Sequence, residues 1–316
     1  MSIEVYLMTY DGRQYEVPKM LSYSFSRGAG TPCDSFDVEF AFQENMTGIL
    51  PRVIRLFAVK DGVRFFSGVL DEYEISLTER GQTVTLSGRG YAAELLDNQV
   101  RSAQFSTATL EDILTQYVYP TGIVCGETQS IEPVSEYIVP FGSSRWQALY
   151  GFTYYSAKIT PRFDGSGRLI LKKKCSGQHR LVDDDTPVER LNWKEKRYGV
   201  ISRVFVINKG TLDEEIVENA DFESRGGVAH RVIAVPKKTL CKAMRYSGQY
   251  QIERSAEREK VVTLDLPGFF EAEPEDVVTL DLKKYNIYGS LRLGEVTHSL
   301  DSYGETTRLE LLKAEG

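Results

Sequence analysis

Residues 65–97 read FFSGVLDEYEISLTERGQTVTLSGRGYAAELLD. Val69, Tyr73, Ile75 and Leu77 stand on alternate positions, apart from one irregular step at Asp71. Residues 78–82, TERGQ, then turn, and Val84 and Leu86 alternate with Thr83, Thr85 and Ser87. A period of two on both sides of a glycine-containing turn predicts a half-buried antiparallel hairpin.

The pattern returns near the C-terminus. Ser299-Leu300, Gly304, Thr306 and Leu309 repeat Ser76-Leu77, Gly81, Thr83 and Leu86 at a constant offset of 223 residues (304 minus 81), and Glu72 and Glu295 share it. Each hairpin follows a strand, a short turn, a strand and a glycine: residues 54–68 end on Gly68 and residues 277–289 on Gly289. Turns favour glycine and strands favour threonine, so two unrelated hairpins are the alternative. The single shared offset favours internal duplication, with Gly68, Gly81, Gly289 and Gly304 marking structural turns of the repeated unit.

At 316 residues, 41% hydrophobic and 26% charged, the chain has the composition of an ordinary soluble globular protein of two or three domains. The net charge of −7 is spread along it. No segment carries the basic excess that phosphate neutralisation requires, which argues against specific nucleic-acid binding. Cys33, Cys125, Cys175 and Cys241 form no CxxC pair and read as reduced, partly buried thiols. The N-terminus lacks a basic and then apolar leader, and no apolar run reaches the roughly eighteen residues of a membrane span. The expectation is synthesis in a cytoplasm without membrane insertion.

Taken in order, residues 1–95 read as nearly all β, with Phe36, Val38, Phe40 and Phe42 strictly alternating. About six short strands with frequent turns suggest a small closed barrel or sandwich. The glycine-bearing segment 27–34 lacks the lysine and following helix of a phosphate loop and reads as a hairpin loop. From about 96 the pattern changes. Thr109-Leu-Glu-Asp112 resembles a capping box, and Leu110, Ile113, Leu114 and Tyr117 keep helical spacing until Pro120 and Gly122. A second helix starts at Ser143 or Ser144, and strands over 157–163 and 168–172 flank a turn at 164–167. Residues 197–208 form another strand, 210–229 an exposed polar insertion or loop, and part of 242–260 a helix, before β pattern resumes at Val261. The expected fold is therefore mainly β with an α+β insertion: two similar antiparallel β-barrel domains, 1–95 and 194–316, separated by a small α+β domain, 96–193. The second barrel would carry the polar and helical insertion at about 210–260.

The three histidines, His179, His230 and His298, occupy no HExxH frame, and no G-x-S-x-G elbow occurs. His298 falls where the first copy has Ile75, which makes it a strand side chain. Asp71, Glu72 and Glu74 would be the first suspects in an enzyme, but their alternation assigns them to the outward side of a strand. Asp183-Asp184-Asp185 lacks the spacing of a calcium loop and reads as a solvated connector. The aromatic cluster Trp146, Tyr150, Phe152, Tyr154 and Tyr155 could stack on a sugar or base. Helical spacing instead assigns Trp146 and Tyr150 to a core face. No catalytic, cofactor-binding or metal-binding residue is assigned.

Several short motifs together carry a resemblance. They are residues 32–40 (PCDSFDVEF), Phe66-Ser-Gly68-Val69, residues 87–97 (SGRGYAAELLD), Leu169-Ile-Leu after the 164–165 turn, Tyr288-Gly289, Val296-Thr297-His298-Ser299 and Gly304-Glu-Thr306-Thr-Arg-Leu309. Over most of its length the chain resembles the baseplate hub family of contractile-tailed bacteriophages and phage-tail-like particles. That family includes late control D-like proteins and the hub part of type VI secretion spike proteins.

The resemblance implies a non-enzymatic, cofactor-free homotrimer in which each subunit contributes two tube domains. Three subunits would then make a pseudo-sixfold ring joining a hexameric tail tube protein ring to a trimeric central spike protein. Neighbouring baseplate proteins are further implied partners, with the tape measure protein as an additional candidate. The implied location is the virion tail baseplate or a tail-like particle, assembled in the bacterial host cytoplasm. No oligonucleotide-fold or β-helix repeat follows Leu312, so the spike is expected to be a separate polypeptide. A β-rich carbohydrate-binding or cell-wall-hydrolysing tail component is the alternative, motivated by the central aromatics and the abundant carboxylates.

Overall fold

The computed structural model describes residues 3–29, 33–79, 81–173, 175, 177–235 and 241–313, with the backbone alone at 241–243. Gly30, Thr31 and Pro32 of the predicted hairpin loop lie outside the described residues, as does Arg80 of the repeated hairpin's turn. The chain folds as two compact units. The larger runs up to Arg190 and adds Leu264–Glu310, and the smaller comprises Leu191–Thr263 with Leu311–Lys313.

The larger unit begins with seven strands: β1 (Glu4–Thr9), β2 (Gln14–Glu16), β3 (Met20–Gly28), β4 (Ser35–Ala41), β5 (Val53–Lys60), β6 (Val63–Thr78) and β7 (Gly81–Gly90). They are hydrogen-bonded in the order β3-β4-β7-β6-β5-β1-β2, and every pair is antiparallel. Alternation in the sequence becomes alternation in burial: Phe36, Val38 and Phe40 of β4 point inward together with Phe25 of β3 and Val84 and Leu86 of β7. Phe25 and Phe66 meet at 5.2 Å between ring centres. Each such buried side chain contributes about 1.5–3 kcal/mol.

Two glycines let this core close. Gly88 lies opposite Phe36, where a Cβ would come within 2.6 Å of that ring and 2.1 Å of the Val69 carbonyl oxygen. Gly68 lies opposite Gly90, and a Cβ there would stand 2.7 Å from the Arg89 carbonyl oxygen.

The same arrangement occurs a second time. Adding 223 to β5, β6 and β7 gives 276–283, 286–301 and 304–313, and the strands found there are Val277–Leu282, Ile287–Asp301 and Gly304–Lys313. With the parts of Lys260–Pro267 and Gly304–Lys313 that belong to this unit, the second order is Lys260–Pro267, Gly304–Lys313, Ile287–Asp301, Val277–Leu282, His179–Asp183. It repeats β4-β7-β6-β5-β1. The Phe42 N–H donates to Gln82 O in the first copy (3.0 Å), and the Gly268 N–H donates to Glu305 O in the second (2.7 Å). The copies differ at their last strand: β1 runs antiparallel to β5, whereas His179–Asp183 runs parallel to Val277–Leu282.

Residues of the insertion gather around their own apolar cluster, which includes Leu95, Ile113, Leu149, Phe152 and Leu169. Thr109 caps Leu110–Ile113 with a full capping box to Asp112, and Ser144 caps Arg145–Ala157 with one to Gln147. The first helix continues as a π-helical turn, Leu114–Val118, and ends through Tyr119–Thr121 at left-handed Gly122. The strand expected over 157–163 is shorter, Arg162–Phe163, because the second helix extends through Ala157.

In the smaller unit Arg203–Asn208 pairs with Glu214–Glu218 (antiparallel) and His230–Val235 (parallel). Helix Cys241–Ala256 covers this sheet, with Met244 and Ile252 against Val204, Val206 and Val217. The stretch 210–229, expected to be an exposed insertion or loop, contains a strand and the helix Ala220–Ser224, and it buries Val217 and Phe222. Its charged residues alternate with these anchors, which hid the period. Among the described residues no helix is long and apolar enough to cross a membrane.

Gly88→Ala is expected to destabilise the larger unit by about 3 kcal/mol or more, because backbone and a packed ring confront the added methyl. A thermal or denaturant unfolding curve measures it, and Gly12→Ala, where a Cβ would meet open space at positive φ, should cost only about 1 kcal/mol.

Candidate functional site: the shared edge of the two β copies

The two copies meet along one pair of strands. Strand Ile287–Asp301 overruns its neighbour Val277–Leu282, which pairs only with residues 287–292. Its remaining edge, Glu295 to Leu300, pairs antiparallel with β3 from Gly28 to Tyr23. The junction is also stitched by side chains: Ser26 Oγ donates to Glu295 Oε1 (2.6 Å), Thr297 Oγ1 to Ser26 Oγ (3.1 Å), and the Tyr23 hydroxyl to Glu305 Oε1 (2.6 Å).

Beneath this seam lies a group of buried charges. Arg27 shares the inward parity of Tyr23 and Phe25 and is itself buried. Its guanidinium donates through Nη1 to Glu273 Oε1 at 2.7 Å and through Nη2 to Glu273 Oε2. Glu273 is half exposed, so this pair is partly screened. Arg292 and Glu275 form a second pair, Nη1 to Oε1 at 2.9 Å, with both side chains almost wholly buried. Glu275 also accepts from the Cys175 N–H at 2.9 Å. Burial pushes the Asp34 carboxyl up to about 6, against the pull of Arg27 and the Gly28 N–H.

His298, in the middle of the seam strand, is buried, stacked on Phe269 at 4.1 Å and edge-on to Phe65. Thr307 donates its hydroxyl proton to Gly268 O and accepts from the Phe270 N–H, so His298 Nδ1 is the donor to Thr307 Oγ1. Burial foremost, then the Arg27 and Lys60 charges, lowers the imidazole to about 3.

The residues singled out from sequence are distributed as follows. Gly81 (φ 122°) and Gly304 (φ 130°) each open the second strand of their hairpin, in equivalent places. Gly68 and Gly289 stand within strands rather than in turns, since the strands flanking them continue without a break. Asp71 is held by Arg89, which also reaches Asp97, and Glu72 and Glu74 are exposed. Trp146 and Phe152 belong to the insertion's core, and Tyr150 packs against it, stacked with Tyr154. Asp183 accepts from the Asp185 and Thr186 N–H groups and the Thr186 hydroxyl, the pattern of a turn. Cys33 and Cys125 are free thiols, and burial pushes Cys33 up to about 12. Among the described residues no group of His, Cys, Asp and Glu could hold a metal ion. Sequence reasoning missed Arg27, Glu273, Glu275 and Arg292. Arg27 carried a signal, a charge on the apolar parity of its strand, and so did Arg292, which stands 223 residues after the apolar Val69.

The fold is that of phage tail proteins. The chain aligns over 99% of its length with 97% of a tail protein from Neisseria meningitidis at TM-score 0.79 and 15% identity. A 43 kDa tail protein of prophage MuSo2 from Shewanella oneidensis is matched over 98% of both chains (TM-score 0.75, 16% identity). A type VI secretion system component from Escherichia coli, described as similar to bacteriophage T4 tail proteins, is matched by 94% of this chain over 74% of its own (TM-score 0.58, 9% identity). No family model and no curated protein matches the sequence.

Glu275→Ala, which removes a buried carboxylate from the buried Arg292 guanidinium, is expected to cost about 3–5 kcal/mol in an unfolding measurement. For His298, a pKa of about 3 in the folded chain against an ordinary 6.5 means that the unfolded chain binds more protons between those values. Its contribution is therefore complete above pH 6.5 and lost as pH falls, by up to about 1.4 kcal/mol per unit. Asp34, raised from 3.8, acts in the opposite sense up to about pH 6. The stability advantage of wild type over His298→Phe, in which Asp34 is common to both, should shrink steadily on acidification below pH 6.5.

Proposed function

We propose that this chain is a structural baseplate hub subunit of a contractile tail or tail-like particle. It would form a homotrimeric, pseudo-sixfold ring between a hexameric tail tube and a trimeric central spike. The observation that carries the reading is the duplicated strand order within a chain that has the tail-protein fold. A threefold assembly of chains that each hold two near-equivalent units offers six similar edges to a sixfold partner. In this reading 1–95 is the first tube domain, 96–193 the inserted α+β domain and 194–316 the second tube domain, to which His179–Asp183 lends an outer strand. The tube ring, the spike, neighbouring baseplate proteins and the tape measure protein are the partners, and the location is the tail baseplate.

The role is non-enzymatic. The carbohydrate-binding or cell-wall-hydrolysing alternative rested on the central aromatics and the abundant carboxylates, and of the aromatics Trp146 and Phe152 are committed to a core.

Native mass measurement of the purified chain should give three times the monomer mass, with a ring in negatively stained images. A chain that stays monomeric alone and in the presence of its tube and spike proteins overturns the reading. Trp146→Ala should destabilise the chain by about 3–5 kcal/mol, whereas loss of glycan binding in a variant of unchanged stability would favour the alternative.

A further inference from the structure

The edge that β3 covers in the second copy has a counterpart in the first, and there it is bare. Subtracting 223 from residues 295–300 gives Glu72 to Leu77 of β6. On one side these residues pair with β7. On the other side β5 pairs only with residues 63–69, and among the described residues no strand takes the edge beyond.

Burial follows this difference. Tyr73, Ile75 and Leu77 are 40%, 41% and 75% exposed, whereas their counterparts Val296 and His298 are 0% and 2% exposed and Leu300 is partly buried. Tyr73 and Ile75 lie opposite Leu86 and Val84, both fully buried, so the exposed stripe prolongs the core side of the hairpin. An unpaired edge with an apolar stripe is a template for strand addition.

The repeat also names the occupant. The seam is formed by β3, the outer neighbour of β4, and the counterpart of β4 is Lys260–Pro267. In the strand order its outer neighbour is Arg190–Glu195, which ends the sheet. Within the smaller unit that strand is fastened by the Lys196 N–H donating to Glu259 O at 2.7 Å. It carries Leu191 and Trp193 on alternate positions, Trp193 being 48% exposed, with the basic Arg190 and Lys194 around them. The bare edge of β6 offers the complement, Tyr73, Ile75 and Leu77 alternating with Glu72 and Glu74. Opposite charges across a strand pair are favourable, and like charges are not.

We infer that the Glu72–Leu77 edge of β6 pairs with strand Arg190–Glu195 of a second copy of this chain, repeating between subunits the seam that β3 and Glu295–Leu300 make within one. The inference rests on the proposed trimer and specifies its contact.

The test compares the full-length wild type with Ile75→Glu/Leu77→Glu and, separately, with Trp193→Glu. Circular dichroism and melting temperature report folding, and native mass spectrometry reports assembly. Both variants are expected to keep the fold, because the altered side chains are exposed, and to lose the trimer. Glu72→Lys/Glu74→Lys should also weaken assembly, and combining it in one chain with Arg190→Glu/Lys194→Glu should restore the trimer. Amide exchange of 72–77 should slow on assembly in the wild type. A wild type that never assembles overturns the hub reading itself. A wild-type trimer left intact by the Ile75/Leu77 and Trp193 variants, with amides 72–77 exchanging freely, overturns the assigned edge and leaves the hub reading standing.

Discussion

A β-strand longer than its neighbour leaves peptide groups that need another partner, and this mismatch governs the larger unit. Strand Ile287–Asp301 outruns Val277–Leu282, and six of its residues, Glu295–Leu300, are hydrogen-bonded by β3 instead. A buried peptide group left unpaired costs roughly 1–3 kcal/mol. The edge pairing therefore does more to fix how the copies meet than any single side chain. What lies under the seam follows from it. Arg27 is carried inward because it sits on the parity of Tyr23 and Phe25, and Glu273 and Glu275 answer the charges there.

The two copies have diverged according to what covers them. Ile75 and His298 occupy equivalent positions, yet the imidazole is the one enclosed. That is tolerable because Phe269 covers one face of the ring, Thr307 accepts a hydrogen bond from its Nδ1–H, and the ring stays neutral. The equivalent hydrogen bonds Phe42 to Gln82 and Gly268 to Glu305 differ by 226 residues on one side and 223 on the other. Three residues have thus been lost between them in the second copy, in the stretch that also bears Glu273 and Glu275.

Much of this was legible in the sequence because local chemistry and final structure agree. The offset of 223 located three strands of the second copy to within one residue, and the Thr109 and Ser144 capping boxes formed as written. The illegible parts are those set by distant partners. Nothing local says that His179–Asp183 joins Val277–Leu282, nearly a hundred residues later, since parallel pairing leaves no turn signature. The strand in 210–229 was obscured by acidic residues, and its sheet is completed by His230–Val235 and a helix beyond it. Gly68 and Gly289 looked like punctuation because glycine usually is. At Gly68 the reason is contact with an adjacent backbone rather than a change of direction.

The reversed outer strand makes the duplication imperfect in a way that matters for symmetry. Antiparallel neighbours exchange hydrogen bonds in alternating narrow and wide pairs, while parallel neighbours exchange them at even, slanted intervals. β1 follows the first rule and His179–Asp183 the second. Any surface assembled from alternating copies would therefore repeat every second position rather than every position. In the proposed ring, a sixfold partner turned by one step would find the cores alike but the rims different, which would give the ring a rotational index.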